Sequence, residues 1–198
     1  MKSVTALPLL LAGAASAQTI QSKPFELVIQ SANETLNGQQ FTACHSGAAI
    51  ESLCLNGNPG SHYYLNTTEG VKSPQSGVSA PGVIVWNLPI GNEAPEPEAM
   101  SFYTEPGTNV AMPMFYPSYG EVQVVFDSKD QMGIYSTLDD TVTPPSDNSK
   151  GKVLKNWYLC DTVFSGYQYR TLSWVNGNGS EKPQNPSCVH VEVERKFV

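Results

Sequence analysis

The sequence has little positive charge and few charged residues of either sign. Its 198 residues include 11 lysines and arginines against 18 aspartates and glutamates, which gives a formal net charge of −7. Nucleic-acid phosphates and anionic lipid surfaces are bound through clustered basic residues. The composition therefore predicts that neither nucleic acid nor a membrane is a partner of this protein.

Long apolar runs are also scarce. The main one, Ala6 to Ala14, is much shorter than the about 20 residues that a membrane-spanning helix needs. It follows Lys2 and precedes Ala15-Ser16-Ala17, the small-x-small pattern that a signal peptidase cleaves. We predict a signal peptide over residues 1–17 and a single secreted β domain over residues 18–198, located in the extracellular space or the cell wall.

Recognisable catalytic and metal-binding motifs are missing as well. The sequence has no GxSxG elbow, no HExxH and no phosphate-binding glycine loop, and no CxxC pair typical of a zinc site. Adjacent carboxylates such as Asp139-Asp140 precede a proline-rich turn, which favours a solvated loop over a calcium site. We predict no catalytic residue, no metal and no cofactor, and keep a hydrolase with a loop-built site as an alternative.

Helical periodicity is absent over any stretch of a dozen residues, and the best candidate, Thr42 to Leu53, allows one or two turns at most. The apolar period is two instead, as in Phe25 to Ile29 and in Val189 to Val193. Turn clusters rich in the 16 glycines and 15 prolines separate these runs. This pattern predicts an all-β fold, an antiparallel sandwich or barrel with long Gly/Pro-rich loops.

The four cysteines are predicted to form two disulfides, because a secreted chain folds in an oxidising compartment. Four cysteines allow three connectivities, and we favour Cys44–Cys54 with Cys160–Cys188, since each closes a short segment between neighbouring elements. Cys188 lies two residues before His190, so the two side chains are expected on the same polar face of the predicted strand. The second bridge is therefore expected on the solvent side or rim of the sheet.

Three short motifs fit N-linked glycosylation, which is confined to secreted proteins. They begin at Asn33, Asn66 and Asn178. A fourth match at Asn185 fails, because proline occupies its middle position. We predict these three asparagines as glycosylation sites, each of which would lie at the surface if it is glycosylated.

Aromatic residues are dense near the end of the chain. The sequence predicts a strand over Trp157–Cys160, a bend over Asp161–Gly166 and a returning strand over Tyr167–Val175. These aromatics have two interpretations. They pack across paired strands in the core, or they form an exposed platform that stacks on sugar rings. The candidate platform residues are Trp157, Tyr167, Tyr169 and Trp174.

Four motifs together resemble a family of small secreted proteins of ascomycete fungi, some of which are labelled IgE-binding proteins. The motifs are Lys23-Pro24-Phe25-Glu26-Leu27-Val28, Ala43 to Leu55 around two cysteines, Trp157-Tyr158-Leu159-Cys160 with Gly166-Tyr167-Gln168-Tyr169, and Asn185-Pro186-Ser187-Cys188-Val189 with Arg195-Lys196-Phe197-Val198. The sequence also has a looser similarity to fungal cell-wall proteins. The resemblance implies secretion and allergenic potential, and it implies no catalytic residue.

The functional hypothesis is a secreted fungal protein of the extracellular space or cell surface that acts by binding. Cell-wall polysaccharide is one candidate partner and an extracellular protein is another. Two alternatives remain open. One is a secreted hydrolase, which requires two converging carboxylates or a histidine beside a carboxylate or hydroxyl. The other is an effector that binds host proteins through an exposed apolar patch.

Overall fold

The structure is a computed structural model that describes residues 18–56, 58–117 and 122–198. The regular secondary structure of these residues is entirely β-strand. The predicted signal peptide lies outside the described residues. In chain order the strands are β1 (Thr19–Gln21), β2 (Phe25–Gln30), β3 (Thr42–Gly47), β4 (Ile50–Cys54), β5 (Tyr63–Thr68), β6 (Gly82–Leu88), β7 (Glu96–Tyr103), β8 (Val110–Tyr116), β9 (Gln123–Phe126), β10 (Met132–Asp139), β11 (Ser146–Leu154), β12 (Trp157–Phe164), β13 (Tyr167–Val175), β14 (Val189–His190) and β15 (Glu192–Phe197).

The strands form one antiparallel sheet, which confirms the predicted fold class. Its main order is β11-β10-β9-β6-β7-β8-β4-β13-β12-β14. A branch leaves β6 through β5 and β2 to β15, while β1 pairs with β5 and β3 pairs with β4. The sheet does not close on itself, so the architecture is an open sheet rather than a closed barrel.

One large hydrophobic core joins strands that lie far apart in this order. It contains Phe25 of β2, Phe126 of β9, Trp157 of β12 and Val193 of β15. These side chains meet because the sheet folds over on itself. The alternation of apolar residues along each strand supplies these inward side chains. In β2, for example, Phe25, Leu27 and Ile29 face inward and are fully buried, as predicted.

Both favoured disulfides are present. Cys44–Cys54 joins β3 to β4, and Cys160–Cys188 ties β12 to the segment before β14. Cys160 lies on the face opposite the main core, yet it is fully buried with Val110 in a small second cluster. The bridge thus lies on the face opposite the main core, as expected, but Cys160 is buried there rather than exposed to solvent, while Cys188 is half-buried. The segment 176–188 lies across this face and covers it.

The helical candidate Thr42–Leu53 forms a hairpin instead. Its two strands pair with Cys44 opposite Ser52, and Ala49 in the turn has a positive φ of 51°. β4 also pairs with β8, where Glu51 lies opposite Phe115. Ladder hydrogen bonds on both sides of β4 outweigh a weak local preference for helical turns.

The β12–β13 hairpin is longer than predicted. The bend over Asp161–Gly166 is replaced by a two-residue turn at Ser165-Gly166, with φ values of 49° and 82°. Two residues with positive φ form the type of turn whose twist matches that of paired strands. The hairpin therefore stays paired from Trp157–Trp174 to Phe164–Tyr167, and its far end extends beyond the main core.

Candidate functional site

The four residues of the predicted platform do not form one surface. Trp157 is fully buried and Trp174 is 4% exposed, and the indole nitrogen of Trp157 donates to the Met132 carbonyl oxygen at 2.9 Å. Tyr167 is 69% exposed and Tyr169 is half-buried. The packing interpretation is thus right for the two tryptophans, which cannot stack on a ligand.

Strand alternation explains this division. Trp157 and Trp174 are paired residues, and their rings meet edge to face at 4.7 Å on the core side. Tyr167 and Tyr169 lie an odd number of positions before Trp174 on the same strand, so their side chains leave the opposite face. The residue numbers alone carry this signal, because the parity of two residues on one strand decides whether they share a face.

A different set of aromatic side chains meets at the far end of the hairpin. Phe164 pairs with Tyr167 and is two residues from the Thr162–Tyr169 pair. The ring of Tyr103, at the end of β7, contacts the ring of Phe164 edge to face at 5.0 Å. We call this set the aromatic surface; it comprises Tyr103, Phe164, Tyr167 and Tyr169. Sequence reasoning missed Tyr103, because strand order rather than sequence proximity brings it to the hairpin.

A groove of about 260 Å³ lies beside the aromatic surface, between the β7–β8 connection and β12. Its apolar lining includes Val110, Met112 and Val163, and Val163 is 62% exposed. Polar side chains complete the lining, namely Tyr103, Glu105, Thr108, Asp161, Thr162 and Asn185. A hydrogen bond to Glu105 raises the pKa of the Tyr103 hydroxyl. The groove thus combines an aromatic flank with hydrogen-bonding groups.

The walls of this groove are held in place by the segment 176–188. Asn109 and Gln184 exchange two hydrogen bonds between backbone nitrogen and side-chain oxygen, at 2.7 and 2.9 Å. The side-chain amide of Asn185 donates to the Asp161 carbonyl oxygen at 2.8 Å. Together with the Cys160–Cys188 bridge, these contacts fix the loop against β12. A site with fixed walls loses less entropy on binding.

A second depression, of about 490 Å³, shares part of its lining with the groove. Residues 161–163 of β12 line both, and the second depression continues to Tyr169 and Arg170 of β13. The same short stretch of strand therefore has a concave surface on each side. This arrangement suits an extended ligand that crosses the hairpin better than a compact one.

A buried pair of carboxyl groups is the second unusual feature. Glu51 on β4 and Glu98 on β7 are 3% and 0% exposed. They lie on either side of β8, where Phe115 pairs with both β4 and β7. No hydrogen-bond donor in the described residues reaches Oε2 of Glu51 or either oxygen of Glu98. Glu51 lies two residues before the buried Leu53, and Glu98 lies two residues before the buried Met100. Because alternate residues of a strand share a face, this spacing was the sequence signal that could have predicted the burial of both carboxyl groups.

Burial raises the pKa of Glu98 to about 9, and Glu51 contributes by accepting a hydrogen bond from the protonated form and by its charge. Ionised carboxylates can only accept hydrogen bonds, so two of them cannot satisfy each other. A proton on Glu98 supplies the missing donor. The exposed His45 lies at the outer end of the pair, with its Nδ1 atom 3.8 Å from Oε1 of Glu51.

These carboxylates converge as a hydrolase would require, but in the core rather than in a cleft. A substrate cannot touch either group while the sheet is intact. Of the other two histidines, His62 is exposed, and His190 contacts the Lys155 carbonyl oxygen at 3.3 Å and the ring of Tyr158. Within the described ranges no cluster of three or more histidine, cysteine, aspartate or glutamate side chains could hold a metal ion.

The three glycosylation motifs lie in different settings. Asn33 is exposed, and its side-chain oxygen accepts hydrogen bonds from the backbone and hydroxyl groups of Thr35. Asn178 makes the equivalent turn with Ser180. Asn66 lies inside β5, between β1 and β6, and accepts a hydrogen bond from Gln21. Glycosylation at these positions stays a prediction.

Comparison with known proteins places almost the whole chain in one family. Residues 22–197 match the family described as "Domain of unknown function (DUF7907)". The chain belongs to this family. Searches of curated proteins and of solved structures found no match. The part of the chain that the structure describes has no helix with the length and apolar character of a membrane span.

Proposed function

We propose that this chain is a secreted fungal protein of the extracellular space or cell surface, and that it binds neutral cell-wall polysaccharide through its aromatic surface. The resemblance to secreted ascomycete proteins supports the source and the location, and the two disulfides fit an oxidising compartment. Recognition by IgE, which the resemblance also implies, is a property of a host antibody and leaves the molecular activity open.

The observation that carries this proposal is an aromatic surface, in which Tyr167 is exposed and the other three rings are half-buried, beside a polar-lined groove. Aromatic rings stack on the apolar faces of sugars, while carboxylate, amide and hydroxyl groups bond to sugar hydroxyls. Tyr103 lines the groove and contacts the ring of Phe164, and Asp161 and Asn185 are also among the lining residues. Both kinds of contact are therefore available on one side of the hairpin.

The charge of this region favours a neutral polymer. Two carboxylates, Glu105 and Asp161, line the groove without a basic residue among its lining, and the whole chain carries −7. Like charges would repel a polyanion. An uncharged glycan meets no such repulsion, and one long enough to reach both concave sides of residues 161–163 gains contacts at each.

The test is retention of the purified, oxidised chain on insoluble chitin, β-glucan and cellulose. Wild type is expected to be retained on one of these polymers. Tyr167→Ala and Phe164→Ala should lose retention, whereas the matched control Tyr135→Ala on β10 should keep it. Absence of retention on all three polymers would overturn the proposal and direct the search to extracellular or host protein partners of the same surface.

A further inference from the structure

The buried carboxyl pair is not used by the proposed binding surface, and it carries an inference of its own. Glu98 is fully buried, and Glu51 is nearly so. Without a proton they would place two negative charges inside a hydrophobic core. An isolated charge in such a place costs far more than a neutral carboxylic acid, and a proton on one carboxyl lets it donate a hydrogen bond to the other, so the pair holds a proton between the two groups.

We infer that Glu51 and Glu98 share a single proton inside the folded sheet, and that loss of this proton at alkaline pH loosens the fold. The stable pH range of the chain would then end where the pair becomes doubly charged. This inference does not depend on the proposed polysaccharide binding.

Among the described residues, no positively charged side chain stabilises an ionised Glu98. On its own strand Glu96 adds a further negative charge. The flanking strands present Trp86 from β6 and Phe115 from β8 on the same face, and neither side chain titrates. Tyr63 of β5, opposite Trp86, stays neutral because burial raises the pKa of its hydroxyl. Within the described residues no lysine or arginine forms an ion pair with Glu51 or Glu98.

The Glu51 end of the pair lies next to an exposed side chain. The side chain of His45 is 78% exposed, and its Nδ1 atom is 3.8 Å from Oε1 of Glu51.

The direction of the pH effect follows from the raised pKa of Glu98, which moves from 4.5 to about 9. Between these values the folded chain binds a proton that the unfolded chain has released. The contribution of this proton to the free energy of unfolding is therefore fully present below the pKa of Glu98 in the unfolded chain. It is lost as the pH rises toward the pKa of Glu98 in the folded chain. The folding equilibrium constant should decrease by at most about tenfold per pH unit in this window.

Two measurements test the inference. The first is infrared spectroscopy of wild type near neutral pH, where a protonated carboxylic acid gives a carbonyl band that shifts in heavy water. The band is expected in wild type and in Glu96→Gln, and it should vanish in Glu98→Gln. The second is urea unfolding from about pH 5 to about pH 9, in which Glu98→Gln should flatten the decline seen in wild type.

Glu98→Gln keeps the shape of the side chain, and its amide can donate permanently to Glu51. Glu96→Gln is the matched control, because Glu96 is exposed on the same strand. A wild-type spectrum without the carboxylic acid band would overturn the inference even if the Glu98 variant failed to fold. Equal pH slopes for wild type and Glu98→Gln would do the same. Neither result bears on polymer retention.

Discussion

The two ends of the β12–β13 hairpin share a hydrogen-bonded ladder and an aromatic pair, but they differ in burial. At its root Trp157 pairs with Trp174 inside the core, and at its tip Phe164 pairs with Tyr167 near solvent. Both ends have aromatic pairs and the same ladder. Alternation along a strand thus decides on which face of the hairpin a side chain lies. Whether that face is buried depends on how far the residue lies from the rest of the sheet.

Truncation at the root should have the largest effect. Trp157→Ala removes a fully buried indole and its hydrogen bond to Met132, so we expect the free energy of unfolding to fall by about 3–5 kcal/mol. Urea denaturation followed by circular dichroism measures this. A loss below about 1 kcal/mol would mean that the root is less tightly packed than its burial indicates.

The second-largest loss of stability is expected when the Cys160–Cys188 disulfide beside the root of the hairpin is removed. Cys160→Ser with Cys188→Ser should cost about 2–4 kcal/mol, mainly by releasing the unfolded chain. The matched pair Cys44→Ser with Cys54→Ser should cost about 1 kcal/mol less, because that bridge spans 10 residues rather than 28. Thermal unfolding of both variants gives the comparison, and the reverse order would contradict it.

The turn at the tip should show a smaller effect. Gly166→Ala places a side chain where φ is +82°, so we expect a loss of about 1 kcal/mol. Gly107→Ala is the control, since Gly107 also has open space around it but no positive φ. Similar unfolding midpoints for the two variants would argue against the two-residue turn.

Truncation on the tip itself should hardly change stability. Tyr167 is 69% exposed, so Tyr167→Ala should alter the free energy of unfolding by less than about 0.5 kcal/mol. The same variant should lose retention on the polymer that binds wild type. A variant that loses retention and also unfolds easily would show that the tip has a structural role instead.

Much of the fold can be predicted from local patterns in the sequence. The period of two in Phe25–Ile29 predicts a half-buried strand, and the strand lies where predicted. Cysteines that close short segments predict the observed pairing. Such predictions succeed because a strand, a tight turn and a short disulfide loop depend on residues that are neighbours along the chain.

The candidate site is less predictable. Parity along β13 separates Tyr167 from Trp174, but nothing local places Tyr103 beside Phe164. The hairpin at Thr42–Leu53 is similar, since its strands gain their stability from pairing with each other and with β8. Contacts of this kind depend on the order of strands in the sheet, which the alternation of apolar residues leaves open.

The sequence by itself determined the all-β class and the inward face of β2, and it favoured the observed pairing of the cysteines, because each follows from spacing between nearby residues. The alternation over Val189–Val193 predicts one strand less well, since Val189 is exposed and Val191 lies between β14 and β15. Only the tertiary structure decided that Glu51 and Glu98 meet across β8, and that the hairpin tip lies at the surface. Both outcomes depend on which strands become neighbours when the sheet folds over its core. That choice minimises the exposed apolar area of the whole chain, and no single segment encodes it.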